Sequence, residues 1–173
     1  MDFRISRSTV DGLDDAGLFW ALIEPVWHAG IEYDPELFAS ATPGQLALYV
    51  VTYCIREVCN GGLDQFFYNT GGMHAEDVRK ALRLLGADVH AAAFEKALTV
   101  FPDASVPVDH AQRQDLLESI PQARRQEVFE PLEKEFFEEE RFWPYFRKYV
   151  ELHPNEFFVD ASELSTPPER RGV

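Results

Sequence analysis

The sequence predicts an all-α fold, a single globular domain of about seven or eight helices, and three observations carry that reading. Apolar residues recur at spacings of three and four through most of the chain, the helical period. No run alternates apolar and polar residues in the manner of a half-buried strand. Proline, glycine and short polar residues stand where such helices would start and stop.

Leu13, Ala16, Phe19, Trp20, Ile23 and Trp27 share one face, so the first helix starts near Leu13, and Pro25 is expected to end or kink it. Asp34-Pro35-Glu36 marks a short turn of helix. Thr42-Pro43-Gly44-Gln45 is a stronger start: Thr42 can cap, Pro43 suits the first turn, and Gln45 holds the capping-box position. The helix that follows is apolar almost all round, through Tyr49, Val50, Val51, Tyr53, Cys54, Ile55 and Val58. Such a helix belongs at the centre of the protein.

Asn60, Gly61 and Gly62 interrupt it, and a short helix through Leu63, Phe66 and Phe67 ends near Asn69, before Gly71 and Gly72. The stretch predicts a hinge between two helices. Beyond it, Ala75 to Leu85 is helical up to Gly86, and Asp88 is expected to cap a helix reaching Val100. Phe101 to Pro107 is a loop. Asp109–Ile120 and Gln122–Glu139 flank Pro121, and Arg141–His153 closes the set, with Pro154 stopping it. Residues 1–158 are expected to form the domain, and 159–173, without apolar periodicity, a poorly ordered tail.

With 173 residues, 46% hydrophobic and 13% aromatic, the chain is long enough to bury a substantial core. Thirty acidic residues against sixteen basic ones give a formal charge of −14. That charge repels phosphates, so nucleic acid and anionic membrane are disfavoured as direct partners and a basic protein is favoured. The longest apolar run, Leu46 to Ile55, is far short of the ~20 residues of a spanning helix. Cys54 and Cys59 are the only cysteines, and a separation of five on one helix points them apart. Two reduced, mostly buried thiols are expected, which suits a cytoplasmic protein.

The run Glu57 to Asn69, EVCNGGLDQFFYN, is the most distinctive stretch. It resembles the motif of a bacterial family of DNA-mimic proteins, formerly a domain of unknown function. The resemblance extends from about Leu46 to Phe158, through ALRLLGA, FEKAL, FEPLEKEFF and WPYFRKYVELHPNEFF. It implies an all-helical fold and a dimer whose surface carboxylates imitate DNA phosphates and occupy a DNA-binding protein.

The charge is concentrated in two places. Between Arg7 and Arg56 there is no Lys or Arg, whereas Asp11, Asp14, Asp15, Glu24, Glu32, Asp34 and Glu36 carry −7. From Glu127 to Glu140 seven acids stand against Lys134 alone, giving −6. On a helical wheel Val128, Phe129, Leu132 and Phe136 form the buried stripe, leaving Glu127, Glu130, Glu133 and Glu138 opposite or flanking it. Carboxylates so spaced rise roughly 5 to 7 Å along the axis. A DNA strand carries a charge about every 3.4 Å. One helix is therefore sparser than a duplex, and a second surface or a second copy would complete the imitation.

No other chemistry competes strongly. The five histidines are scattered without metal-ligand spacing, the cysteines lack Cys-x-x-Cys spacing, and neither a nucleophile elbow nor a phosphate-binding loop occurs. No catalytic residue, metal or cofactor is assigned. Asn60, Gln65, Tyr68 and Asn69 could line a hinge pocket for a small ligand or a reaction, yet amides beside helix ends more often satisfy backbone groups. The leading expectation is a non-enzymatic acidic interaction protein, a homodimer that occupies a basic DNA-binding protein, with Asp11, Asp14, Asp15, Glu24, Glu32, Glu127, Glu130, Glu133 and Glu138 as its surface. An immunity or antitoxin-like protein against a basic toxin is the alternative of the same class.

Overall fold

The computed structural model describes residues 2–29, 35–137 and 141–160. Among them are eight α-helices and one short bridge between two-residue strands, so the fold is all-α. The helices are α1 (Asp15–His28), α2 (Pro35–Ser40), α3 (Pro43–Tyr68), α4 (Ala75–Leu84), α5 (Asp88–Leu98), α6 (His110–Ser119), α7 (Gln122–Glu133) and α8 (Trp143–Leu152). Two compact units contain them: Met1–Leu46 with Phe146–Val173, and Ala47–Tyr145. No helix among the described residues is long and apolar enough to cross a membrane.

In the first unit Asp14 caps α1, accepting from the Gly17 N–H at 2.8 Å. The helix buries Leu18, Phe19, Leu22, Ile23 and Val26, with the Phe19 ring 5.7 Å from that of Phe146. Pro25 does not end it, since α1 continues to His28. The start of α3 is a reciprocal capping box: the Gln45 side chain accepts from the Thr42 N–H at 3.0 Å, and the Thr42 hydroxyl from the Gln45 N–H at 3.3 Å. Glu156 completes that end, accepting from the Gly44 N–H at 2.5 Å and from the Tyr149 hydroxyl at 3.1 Å. Gly44 leaves the necessary room, because a Cβ there would stand 2.5 Å from the Phe157 ring. Burial and then the Glu156 carboxylate push the Tyr149 phenol up to about 12. Strands β1 (Ile5–Ser6) and β2 (Phe158–Val159) pair in parallel, with Ile5 opposite Phe158 and Ser6 opposite Val159. Val159 is therefore buried in a bridge instead of belonging to a loose tail, while 161–173 lie outside the described residues.

The second unit is built on the rest of α3, where Ala47, Leu48, Tyr49, Val50, Val51, Thr52, Cys54, Ile55 and Val58 are all buried. Its aromatic centre is Phe67, whose ring lies 4.9 Å from Phe101, 5.5 Å from Phe129 and 6.0 Å from Phe94. Helix α5 packs against both α4 and α7. Gly86, at φ 69°, ends α4 in the left-handed conformation that only glycine adopts without strain. Ala87, not Asp88, occupies the cap of α5, so Asp88 falls in the first turn and faces the helix dipole. Asp109 caps α6, accepting from the Gln112 N–H at 2.9 Å. Helix α7 stops at Glu133 instead of Glu139, and residues 134–136 turn away from it.

Arg113 of α6 is 1% exposed. Its guanidinium donates to the carbonyls of Phe67, Asn69, Pro107 and Val108, each at 2.9 Å. Two of these belong to the end of α3, where unpaired carbonyls and the negative end of the dipole favour a cation. A Cβ on Gly72 would come within 2.6 Å of both Arg113 Nε and the Phe67 carbonyl, and one on Gly71 within 2.6 Å of the Tyr53 ring. Close approach is what the second glycine pair provides.

Candidate partner-binding surface and hinge cleft

The hinge departs from helical geometry at two residues: Gly61 has φ −160° and ψ 23°, Gly62 φ 80° and ψ −179°. Only Gly62 occupies the region that disfavours an L side chain. Where the helix resumes past the two glycines, the Leu63 N–H donates to the Glu133 carboxylate of α7 at 2.8 Å. A Cβ on Gly62 would overlap that same carboxylate oxygen. One glycine thus serves a backbone angle and a side-chain approach at once.

The polar residues of the motif turn toward each other. Glu57 accepts from Gln65 Nε2 at 3.0 Å and from Asn69 Nδ2 at 2.8 Å, bridging residues on either side of the hinge. Val58, Leu63, Phe66 and Phe67 are buried between them. Asp64 is paired with Arg125 of α7 at 2.6 Å. Tyr68 is exposed, and its carbonyl accepts from His110 Nε2 at 3.1 Å.

A cleft of about 360 Å³ lies beside the hinge. Cys59, Asn60, Asp64, Glu130, Glu133 and Phe137 line it, with Gly61, Gly62 and Gln126. Of the four polar hinge residues expected to form a pocket, Asn60 lines this cleft, whereas Gln65 and Asn69 are engaged by Glu57 and Tyr68 lies elsewhere. Cys59 is exposed, contrary to the expectation of a mostly buried thiol, and its Sγ lies 3.6 Å from each of the Phe136 and Phe137 carbonyls. Cys54 is buried, which raises its thiol pKa strongly.

The acidic residues divide by environment. In the second unit Val128, Phe129, Leu132 and Phe136 are buried as the wheel predicts, and Glu127 and Glu130 are exposed. Arg124 reaches Glu127 at 3.3 Å, one turn away on the helix surface. Glu133 is half-buried and committed to the hinge, while Glu138 lies outside the described residues. In the first unit Asp11, Asp14 and Glu24 are exposed, Asp14 also serving as the α1 cap. Asp15 is half-buried and ion-paired with Arg147, whose guanidinium also donates to the Leu13 carbonyl at 3.1 Å. Glu32 lies outside the described residues.

Counting charges along the chain misses Arg147 and Arg124, because they lie outside the two acidic segments and reach back into them, to Asp15 and Glu127. Glu57 is missed as well: it stands eight and twelve residues before its partners, and only the bend brings it to them.

Comparison with known proteins bears on the same stretch. A family model described as DMP19-like protein matches residues 39–153, which contain the hinge, the cleft and all of α3 to α8. No curated protein and no solved structure matches the chain.

Proposed function

The chain belongs to the DMP19-like protein family, that of DNA mimic protein 19, and from this premise we propose that it is a non-enzymatic acidic protein that occupies the DNA-binding surface of a basic partner protein. The observation that carries the reading is the division of α7 into a buried apolar stripe and an exposed carboxylate face. Glu127 and Glu130 stand in solvent, held on a helix that Val128, Phe129 and Leu132 anchor to the core. The anchored helix sets the spacing at which the two side chains leave the backbone, and a formal charge of −14 steers a basic protein toward them.

Carboxylates three residues apart on α7 rise about 4.5 Å, against about 3.4 Å between phosphates of one strand. A homodimer, presenting the face twice, supplies the missing density. Asp11, Asp14 and Glu24 offer a second acidic surface on the first unit.

The test begins with a partner captured from the native host at low salt. Displacement of a labelled DNA duplex from that partner, followed by fluorescence anisotropy, is expected on addition of the chain. Paired Glu127→Lys and Glu130→Lys substitutions should weaken displacement at least tenfold, and raising the salt from about 50 to 200 mM should do the same. Indifference to both changes sinks the reading. A captured basic toxin that the chain neutralises without competition from DNA turns it to an immunity protein.

A further inference from the structure

The cleft beside the hinge combines features that the fold does not use up. Phe137, 51% exposed, stands at its wall, and Glu130 is exposed beside it. Glu133 spends one carboxylate oxygen on the Leu63 N–H, and Asp64 one on Arg125. Among the described residues no Lys or Arg lines the cleft, while three carboxylates and the Asn60, Gln122 and Gln126 amides do.

We infer that this cleft receives an arginine side chain presented by the partner protein, an inference that rests on the acidic-mimic reading and names the contact it would use. The charge of the lining rules against an anion and favours a cation. Among the described residues no three His, Cys, Asp or Glu side chains converge on a position for a metal ion, so the cation is an extended one. A guanidinium matches the lining better than an ammonium. Its five N–H donors lie in one plane and can reach separated carboxylate and amide oxygens together, and its face stacks on an aromatic ring. A volume of about 360 Å³ admits the whole side chain with water around it. DNA-binding surfaces are rich in arginine that grips phosphate, so a protein competing for such a surface gains by holding the same group.

The test uses the chain alone, with N-acetyl-L-arginine amide as probe and N-acetyl-L-lysine amide for comparison, followed by amide chemical shifts of the 15N-labelled protein. The arginine probe is expected to give saturable shifts confined to residues 58–64 and 126–137, with an affinity at least threefold above that of the lysine probe. Glu130→Gln and Phe137→Ala, both at exposed positions, should each weaken it at least threefold, and Glu118→Gln, on the exposed face of α6, should leave it unchanged. Shifts scattered over every acidic segment, equal affinity for the two probes, or an unaltered Glu130→Gln variant would overturn the inference. Because no partner enters this measurement, such a failure leaves the DNA-displacement result standing. Saturation of the cleft without DNA displacement keeps the guanidinium site and removes the mimic reading.

Discussion

Arg113 Nε donates to the Phe67 carbonyl at 2.9 Å, fastening α6 to the last turn of α3 through a buried cation. Desolvation lowers the Arg113 pKa, and the carbonyl cage, with Asp109 as the nearest opposing charge, is what keeps the charge tolerable. Arg113→Lys cannot reproduce four bonds from one compact ammonium. It is expected to cost roughly 3 kcal/mol, read as a lower urea midpoint with an unchanged slope. Arg113→Met should cost as much or more, since all four carbonyls then lose their donor.

Gly62→Ala meets two penalties, the positive φ and the Glu133 carboxylate. A loss of about 2–3 kcal/mol is expected. Glu133→Ala alone removes the acceptor of the Leu63 N–H and should cost about 1–2 kcal/mol. The double variant separates the penalties: with the overlap gone, the two losses should sum to more than the measured total, and strict additivity in a double-mutant cycle would show that the residues do not meet.

Gln65→Ala and Glu57→Ala test whether the motif's polar residues serve the fold. Each breaks the bridge across the hinge and should lower stability by about 1–2 kcal/mol, in chemical denaturation, while leaving affinity for the arginine probe unchanged. Weakened probe binding with intact stability would instead assign these residues to a site.

His90 is buried beside Phe136, Phe142 and Tyr145, its ring 4.1 Å from that of Phe142. Burial lowers its pKa; Glu135 opposes the shift and Arg141 adds to it. The unfolded chain therefore takes up a proton first as pH falls. The stability contribution of neutral His90 is complete above about pH 6.5 and is lost as pH falls from there through the lower folded value. Thermal unfolding should show Tm falling between about pH 7 and 5, and His90→Phe should flatten that slope.

Breaks in the chain are easier to read from residue types than the bonds that close them. Asn60-Gly61-Gly62 announces a hinge, and Thr42 with Gln45 a capping box, because each signal is carried by neighbours. Arg113, Glu57 and Glu133 reach groups as far as 46, 12 and 70 residues away, and no local pattern distinguishes them from surface charges. The apolar stripe of α7 is legible for the same local reason, whereas its end is not: the helix stops at Glu133, before the periodic pattern reaches Phe136. The cleft itself depends on α7 meeting the hinge, which periodicity does not encode.

The bond from the Gly44 N–H to Glu156 joins residues 112 apart in the chain. During synthesis, residues 47–145 leave the ribosome before the first unit has its closing segment. The N-terminal turn of α3 and the strand at Ile5 therefore gain these partners only once Glu156, Phe157 and Val159 have been made. The covalent path thus delivers every residue of the second unit before the segment that closes the first.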